Sequence, residues 1–162
     1  MELSEAGLDF IKGFEELRLD CYKDQAGKPT VGWGHLVRPG EPFVLGQRIT
    51  IGQAQALLRA DVAVTVAGVN RALGNMVMLQ NAFDACVSLA FNIGVDAFDG
   101  STPWRLAKAK VFIPSQIRAA FGAWNKVRRF GILVPSRGLT RRRAAEADMY
   151  LDNDYDMSDV VV

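Results

Sequence analysis

The sequence predicts an α+β fold that is mostly helical, and three observations carry that prediction. The chain opens on a helical apolar pattern. A short stretch of alternating residues, punctuated by Gly and Pro, follows within about the first fifty positions. From there on, the apolar residues recur mainly at the 3.6-residue period of helices. At 162 residues, 49% of them apolar, the chain suits one domain or two small lobes around a shared core.

Each element can be justified in order. Ser4 is a good N-cap, with Glu5 in the first turn, for a helix to about Glu16. With Leu8 at zero on the helical wheel, Glu15 falls at about 340° and Glu16 at about 80°. Glu15 thus continues the apolar row of Leu8 and Ile11, while Glu16 points into solvent. A carboxyl at the edge of a buried face loses hydration, and desolvation favours the neutral acid. Leu17 to Tyr22 alternate as a half-exposed strand does. Residues 25–29 (Gln-Ala-Gly-Lys-Pro) form a turn, and residues 30–34 (Thr-Val-Gly-Trp-Gly) return as a second strand. Glycines inside that strand suggest close approach by another backbone or a ligand. Asp24 stands at the lip of the turn, where an aspartate commonly caps backbone amides. Residues 36–49 read as irregular loop.

Thr50 caps a long helix to about Ala72, with Ala54, Leu57, Leu58, Val62, Val66 and Val69 at helical spacing. A second helix, from about Leu79 to Gly94, is apolar nearly all round and belongs inside a core. Ser101 to Lys110 and Pro114 to Lys126 read as two more helices, with proline near each start. Gly131, Pro135 and Gly138 mark a loop. A last helix spans about Leu139 to Leu151, and the acidic tail beyond it is expected to fray. The lobes so drawn are an N-terminal one over about 14–49, a connecting helix over 50–72, and a helical one over 73–162 joined by helix 4–16. A cleft between lobes is the default ligand site.

Composition excludes several classes. The formal net charge is +1, so no global field suits nucleic acid. The charge is uneven, with seven cations and no acid from Lys126 to Arg143, and with Asp148, Asp152, Asp154, Asp156 and Asp159 after them. Cys21 and Cys86 do not make a disulfide framework in a chain of this length and read as reduced, buried thiols. No run is long and apolar enough to span a membrane, and MELSEAG lacks the pattern of a signal peptide. A lone histidine, His35, is a poor metal site, so no metal and no cofactor is expected.

The motifs carry a resemblance. Glu15, eight residues, Asp24, five residues, Thr30 and then Val-Gly-Trp-Gly-His resemble the N-terminal signature of phage-type lysozymes, the endolysins of glycoside hydrolase family 24. The likeness continues through Leu57-Leu58-Arg59-Ala60-Asp61, through Phe83-Asp84-Ala85 and residues 90–94, and through Ser101-Thr102, Trp124 and residues 138–146. It implies a lysozyme-like fold and a muramidase that cuts the β-1,4 bond between N-acetylmuramic acid and N-acetylglucosamine of peptidoglycan. It implies Glu15 as general acid, with Asp24 and Thr30 holding the attacking water. Two carboxyl groups in such roles are what glycoside hydrolysis requires.

By the same resemblance, Leu36 and Phe91 would line the sugar cleft and Ser101 would contact substrate. Arg141 would pair with the catalytic glutamate, and His35 would be structural, with Asp61 as its ion partner. Core packing is the alternative for Leu36 and Phe91. At least two of Arg141, Arg142 and Arg143 are expected to be solvated first-turn residues. Glu16 departs from the family, where glycine is common, and Arg118 differs in type from a family cleft contact. The implied biology is a monomeric endolysin without stable membrane association. It would be held in the host cytoplasm until a separate holin gives access to the periplasmic wall. The alternative is a catalytically inactive peptidoglycan-binding module of the same fold.

Overall fold

The computed structural model describes residues 1–158. The chain forms two compact units, one of residues 11–64 and one of residues 1–10 with the chain from Thr65 onward.

The 11–64 unit begins with the end of α1 (Glu5–Phe14), whose N-cap is Ser4: its Oγ accepts from Gly7 N at 3.0 Å. The helix stops two residues short of the expected end. Glu15 N reaches back only to the Lys12 carbonyl, at 3.2 Å, which tightens the last turn and closes the helix. Strands β1 (Arg18–Lys23), β2 (Pro29–Gly32) and β3 (His35–Leu36) form an antiparallel sheet in that order. Tyr22 lies opposite Thr30, and Thr30 opposite Leu36. β3 was not expected, because two residues carry no periodicity. Its backbone pairing to β2 is what creates it.

The loop after β3 lies along the free side of β1, with Cys21 N donating to Gln47 O and Ile49 N to Leu19 O, both at 2.9 Å. Cys21, Val31, Ile49 and Ala54 form the core of this unit, ringed by Leu19, Trp33, Val37, Phe43 and Leu57. Gly32 is required here: its φ is +68°, and a Cβ on it would lie 3.4 Å from that of Ala54. α2 (Ile51–Leu73) starts at a reciprocal capping box. Gln53 N donates to Thr50 Oγ1 at 3.1 Å, and Thr50 N donates to Gln53 Oε1 at 2.8 Å.

The other unit is helical. α3 (Gln80–Ile93) buries every residue from Asn81 to Ala90, as its all-round apolar pattern predicts. Gly7 of α1 lies so close to it that a Cβ would come within 2.8 Å of Asp84 Cγ. A short α4 (Val95–Asp99) was not foreseen. It continues the chain beyond Gly94, whose φ of +89° ends α3. α5 (Thr102–Lys108) and α6 (Pro114–Gly122) follow, then α7 (Arg137–Asp152), which packs extensively on α3 and α6. Trp104, Phe83, Phe98, Phe121, Ile117 and Met149 fill the core. Burying each such side chain stabilises by roughly 1.5–3 kcal/mol.

Three expectations for this unit are corrected. The segment read as loop before the last helix is a hairpin, β4 (Lys126–Arg129) with β5 (Ile132–Pro135), and α6 ends four residues before the expected Lys126. The cationic strand before Phe130-Gly131 pairs with the aliphatic strand after it, and a two-residue turn closes them. Two of the three arginines expected in solvent are buried: Arg142 is 3% exposed and Arg143 1%. They are balanced by Glu146 one turn on. The tail does not fray over its described part, since Tyr155 Oη donates to buried Asp84 at 2.8 Å and Arg141 Nη2 to the Met157 carbonyl at 2.6 Å. Residues 159–162, with Asp159, lie outside the described residues. Cys21 and Cys86 are buried free thiols, one in each unit.

Candidate active site

The turn between β1 and β2 builds the most specific arrangement. Asp24 follows the last residue of β1 and caps the turn as its position predicts. Its Oδ1 accepts from Ala26 N and from Lys28 N, each at 2.8 Å. Its backbone N donates to the Lys28 carbonyl at 2.9 Å. Thr30, two residues into β2, is 3% exposed, and its Oγ1 donates to that same Lys28 carbonyl at 3.1 Å. One peptide oxygen therefore fixes both residues. The Thr30 hydroxyl proton is committed, so its lone pairs are what it can offer outward. Asp24 Oδ2 has no hydrogen-bond donor among the described residues. The arrangement presents two acceptors and no donor, which suits a water molecule held through its two protons.

Glu15 lies in the same unit, one residue beyond α1. It is half-buried while Glu16 is exposed, but both lie beyond the helix end, so their difference does not come from the helical phase on which the expectation rested. Beside it in the chain, Lys12 Nζ lies 5.8 Å from the centre of the Trp33 ring.

His35 is a buried clamp. Its Nδ1 is 2.8 Å from Asp61 Oδ2, and its Nε2 is 2.9 Å from Glu41 Oε2. A carboxylate at each ring nitrogen requires both to carry protons, so the ring is an imidazolium. Burial opposes that charge. The hydrogen bonds and negative charges of Glu41 and Asp61 outweigh burial and hold the His35 pKa above its usual value. Glu41 is held below the usual carboxylate range by the Arg38 backbone N–H, which donates at 2.8 Å, and by His35. Both flanking carboxylates are bound to this one ring, which pins β3 to the loop after it and to α2. Glu41 was missed in the sequence, because a glutamate in a Pro/Gly-rich loop carries no spacing signal toward His35.

The remaining candidates are distributed as follows. Leu36 on β3 is 45% exposed. Phe91, Ser101 and Arg141 belong to the other unit. Phe91 is half-buried near the end of α3. Ser101 is buried and caps α5, its Oγ accepting from Trp104 N at 3.2 Å. Arg141 is exposed on α7.

Buried Glu146 accepts from Ser88 Oγ at 2.7 Å, Arg142 Nε at 3.1 Å and Arg143 Nη2 at 3.0 Å, all on Oε1. Burial pushes its pKa up, while Arg143 and Arg142 act against that. Among the described residues no cluster of three or more His, Cys, Asp or Glu gathers as metal ligands, and no helix is long and apolar enough to cross a membrane.

Residues 12–146 match the phage lysozyme family. The endolysin of Acyrthosiphon pisum secondary endosymbiont phage 1 is 40% identical over 150 residues, covering 93% of this chain and 98% of that protein. The structure of an endolysin from Escherichia coli O157:H7 phage FAHEc1 superposes with a TM-score of 0.87 at 44% identity, over 96% of this chain and 97% of that one. The muramidase domain of SpmX from Asticaccaulis excentricus gives 0.81 at 33% identity, over 93% and 97%. With the fold, the signature turn and these relatives in agreement, the chain belongs to the phage lysozyme family and is a glycoside hydrolase of the lysozyme type.

Proposed function

We propose that this glycoside hydrolase cuts the β-1,4 bond between N-acetylmuramic acid and N-acetylglucosamine with Glu15, Asp24 and Thr30. Membership of the family implies peptidoglycan hydrolysis. The bond cut and the catalytic trio are our reading, carried by the joint anchoring of Asp24 and Thr30 on the Lys28 carbonyl.

A nucleophilic water must keep a lone pair aimed at the anomeric carbon, so the protein should take both its protons. Asp24 Oδ2 accepts one and the Thr30 Oγ1 lone pair the other. Glu15 protonates the departing glycosidic oxygen as the C1–O bond breaks. Water attacks the opposite face of the sugar and passes a proton to Asp24. The N-acetylmuramic acid product then emerges inverted, with Glu15 ionised and Asp24 protonated, and solvent restores both. His35, Asp61 and Glu41 hold the strands that carry this turn. Leu36 and Phe91 offer apolar surface to sugar rings. Ser101 supports the binding surface through α5, and Arg141 is assigned as a supporting cation. In the cell the protein acts as a monomeric endolysin, reaching the wall from the cytoplasm through a holin.

The test is product chemistry on purified peptidoglycan. Borohydride reduction of the new reducing ends should yield muramitol, and the anomer first formed should be α. Glucosaminitol would overturn the bond assignment, and an initial β anomer would overturn the water-holding role.

A further inference from the structure

We infer that the β4–β5 hairpin is a reversible docking element for anionic lipid surfaces, inserting its tip at the headgroup–acyl boundary. Among the described residues no other element packs extensively against this hairpin, and its base is closed by Ser136 N donating to the Asn125 carbonyl at 2.8 Å. Its tip is Phe130-Gly131, with φ of +48° and +82°, the type I′ pattern. A two-residue turn of this kind favours Asn or Gly. A bulky aromatic at its first position is strained, because its Cβ crowds the backbone.

The strain brings no packing in return, since Phe130 is 103% exposed, with Ile132 at 67% and Leu133 at 55%. Three large apolar side chains thus project from the end of an element that the core does not use. The cross-strand register places a cation beside each aliphatic residue next to the tip: Arg129 opposite Ile132, and Arg128 opposite Leu133. Lys126 lies further down, and no acid occurs in the hairpin.

Phe130 stands at the apex, and Ile132 and Leu133 lie level with the cations that flank them, with Arg128 Nη1 donating to the Gly131 carbonyl at 2.7 Å. Apolar groups ringed by cations match the charge and polarity profile of an anionic bilayer surface. The tip would reach the acyl boundary while the guanidiniums remain at the phosphates. An anionic wall polymer would satisfy the cations but offers no apolar layer for Phe130, Ile132 and Leu133. The contact is weak and reversible, in keeping with the expectation of no stable membrane association.

Phe130→Asn separates binding from folding, because Asn-Gly is the preferred dipeptide for this turn. The full chain is sedimented with phosphatidylglycerol–phosphatidylethanolamine vesicles and with neutral phosphatidylcholine vesicles. The unsubstituted protein should pellet with the anionic vesicles only, and less as salt rises. Phe130→Asn should lower that partition by at least about tenfold, with an unchanged or higher Tm and unchanged hydrolysis of purified peptidoglycan. The double variant Arg128→Gln, Arg129→Gln should lower it and flatten its salt dependence. Absence of anionic-vesicle binding, or undiminished partition of Phe130→Asn, would overturn the proposal. So would hairpin variants that lose binding to purified sacculi when vesicles bind neither form, which would assign this face to a wall polymer.

Discussion

Glu146 is a fully buried acid that joins two helices of the helical unit, and Glu146→Gln tests what that junction contributes to stability. Its carboxylate is 0% exposed and is the common acceptor for Ser88 on α3 and for Arg142 and Arg143 on α7. Gln keeps the shape and one acceptor oxygen but removes the charge. Two guanidiniums, 3% and 1% exposed, then lose the carboxylate that balances them. Removing one partner of a buried ion pair typically costs about 3–5 kcal/mol. For a domain of this length, 1 kcal/mol moves Tm by about 2–4 °C, so the expected fall is roughly 6–20 °C.

The assay is urea unfolding with thermal circular dichroism at neutral pH. A second arm replaces the whole cluster: Arg142→Met, Arg143→Met and Glu146→Leu together should recover most of the loss, because an apolar set leaves no unbalanced charge. A loss below about 1 kcal/mol in Glu146→Gln would refute the reasoning, as would a triple variant less stable than the single one.

Other expectations concern the signature turn and the histidine clamp. Asp24→Asn preserves the oxygen that caps the turn, so stability should hold while peptidoglycan hydrolysis falls by about a hundredfold or more. Asp24→Ala should lose both, and an active Asp24→Asn would reduce Asp24 to a turn cap. Thr30→Val should lower turnover at least about tenfold, with Thr30→Ser restoring most of it. The Lys28 carbonyl keeps its bond from Asp24 N in both variants, so equal activity of Val and Ser would remove Thr30 from the water site.

His35 has a raised folded pKa, so its contribution is complete below its ordinary 6.5 and is lost as pH rises through the raised value. Glu41, lowered, contributes fully above its ordinary 4.5 and loses that as pH falls through the lowered value. The Tm penalty of His35→Gln should therefore be largest between 4.5 and 6.5 and shrink toward alkaline pH. A penalty that grows with pH would contradict the imidazolium.

Much of the fold was legible because its signals are local. Ser4, Thr50 and Pro114 start helices by chemistry confined to one turn, and α3 announces its burial by having no polar face. What the sequence hid depends on distant partners. Arg142 and Arg143 look solvated until Glu146 is placed three and four residues on, on a helix pressed against α3. That spacing was visible and could have suggested a buried pair. The β4–β5 hairpin was hidden because β4 carries three cations and one aliphatic residue, so it shows no strand alternation, and because an aromatic stands at a turn position that glycine or asparagine usually fills. In the candidate site, the resemblance singled out Asp24 and Thr30 as candidates, and their anchoring on one carbonyl depends on a turn geometry that spacing does not encode. Glu41 had no local signal, since its link to His35 is made by the path of a loop.

The central claim is that Glu15, and not its neighbour, is the acid. The direct measurement is clearing of outer-membrane-stripped Gram-negative cells by Glu15→Gln and by Glu16→Gln, each verified as folded by circular dichroism. The account predicts that Glu15→Gln abolishes clearing and that Glu16→Gln retains most of it. Equal loss from both, or an active Glu15→Gln, would contradict it.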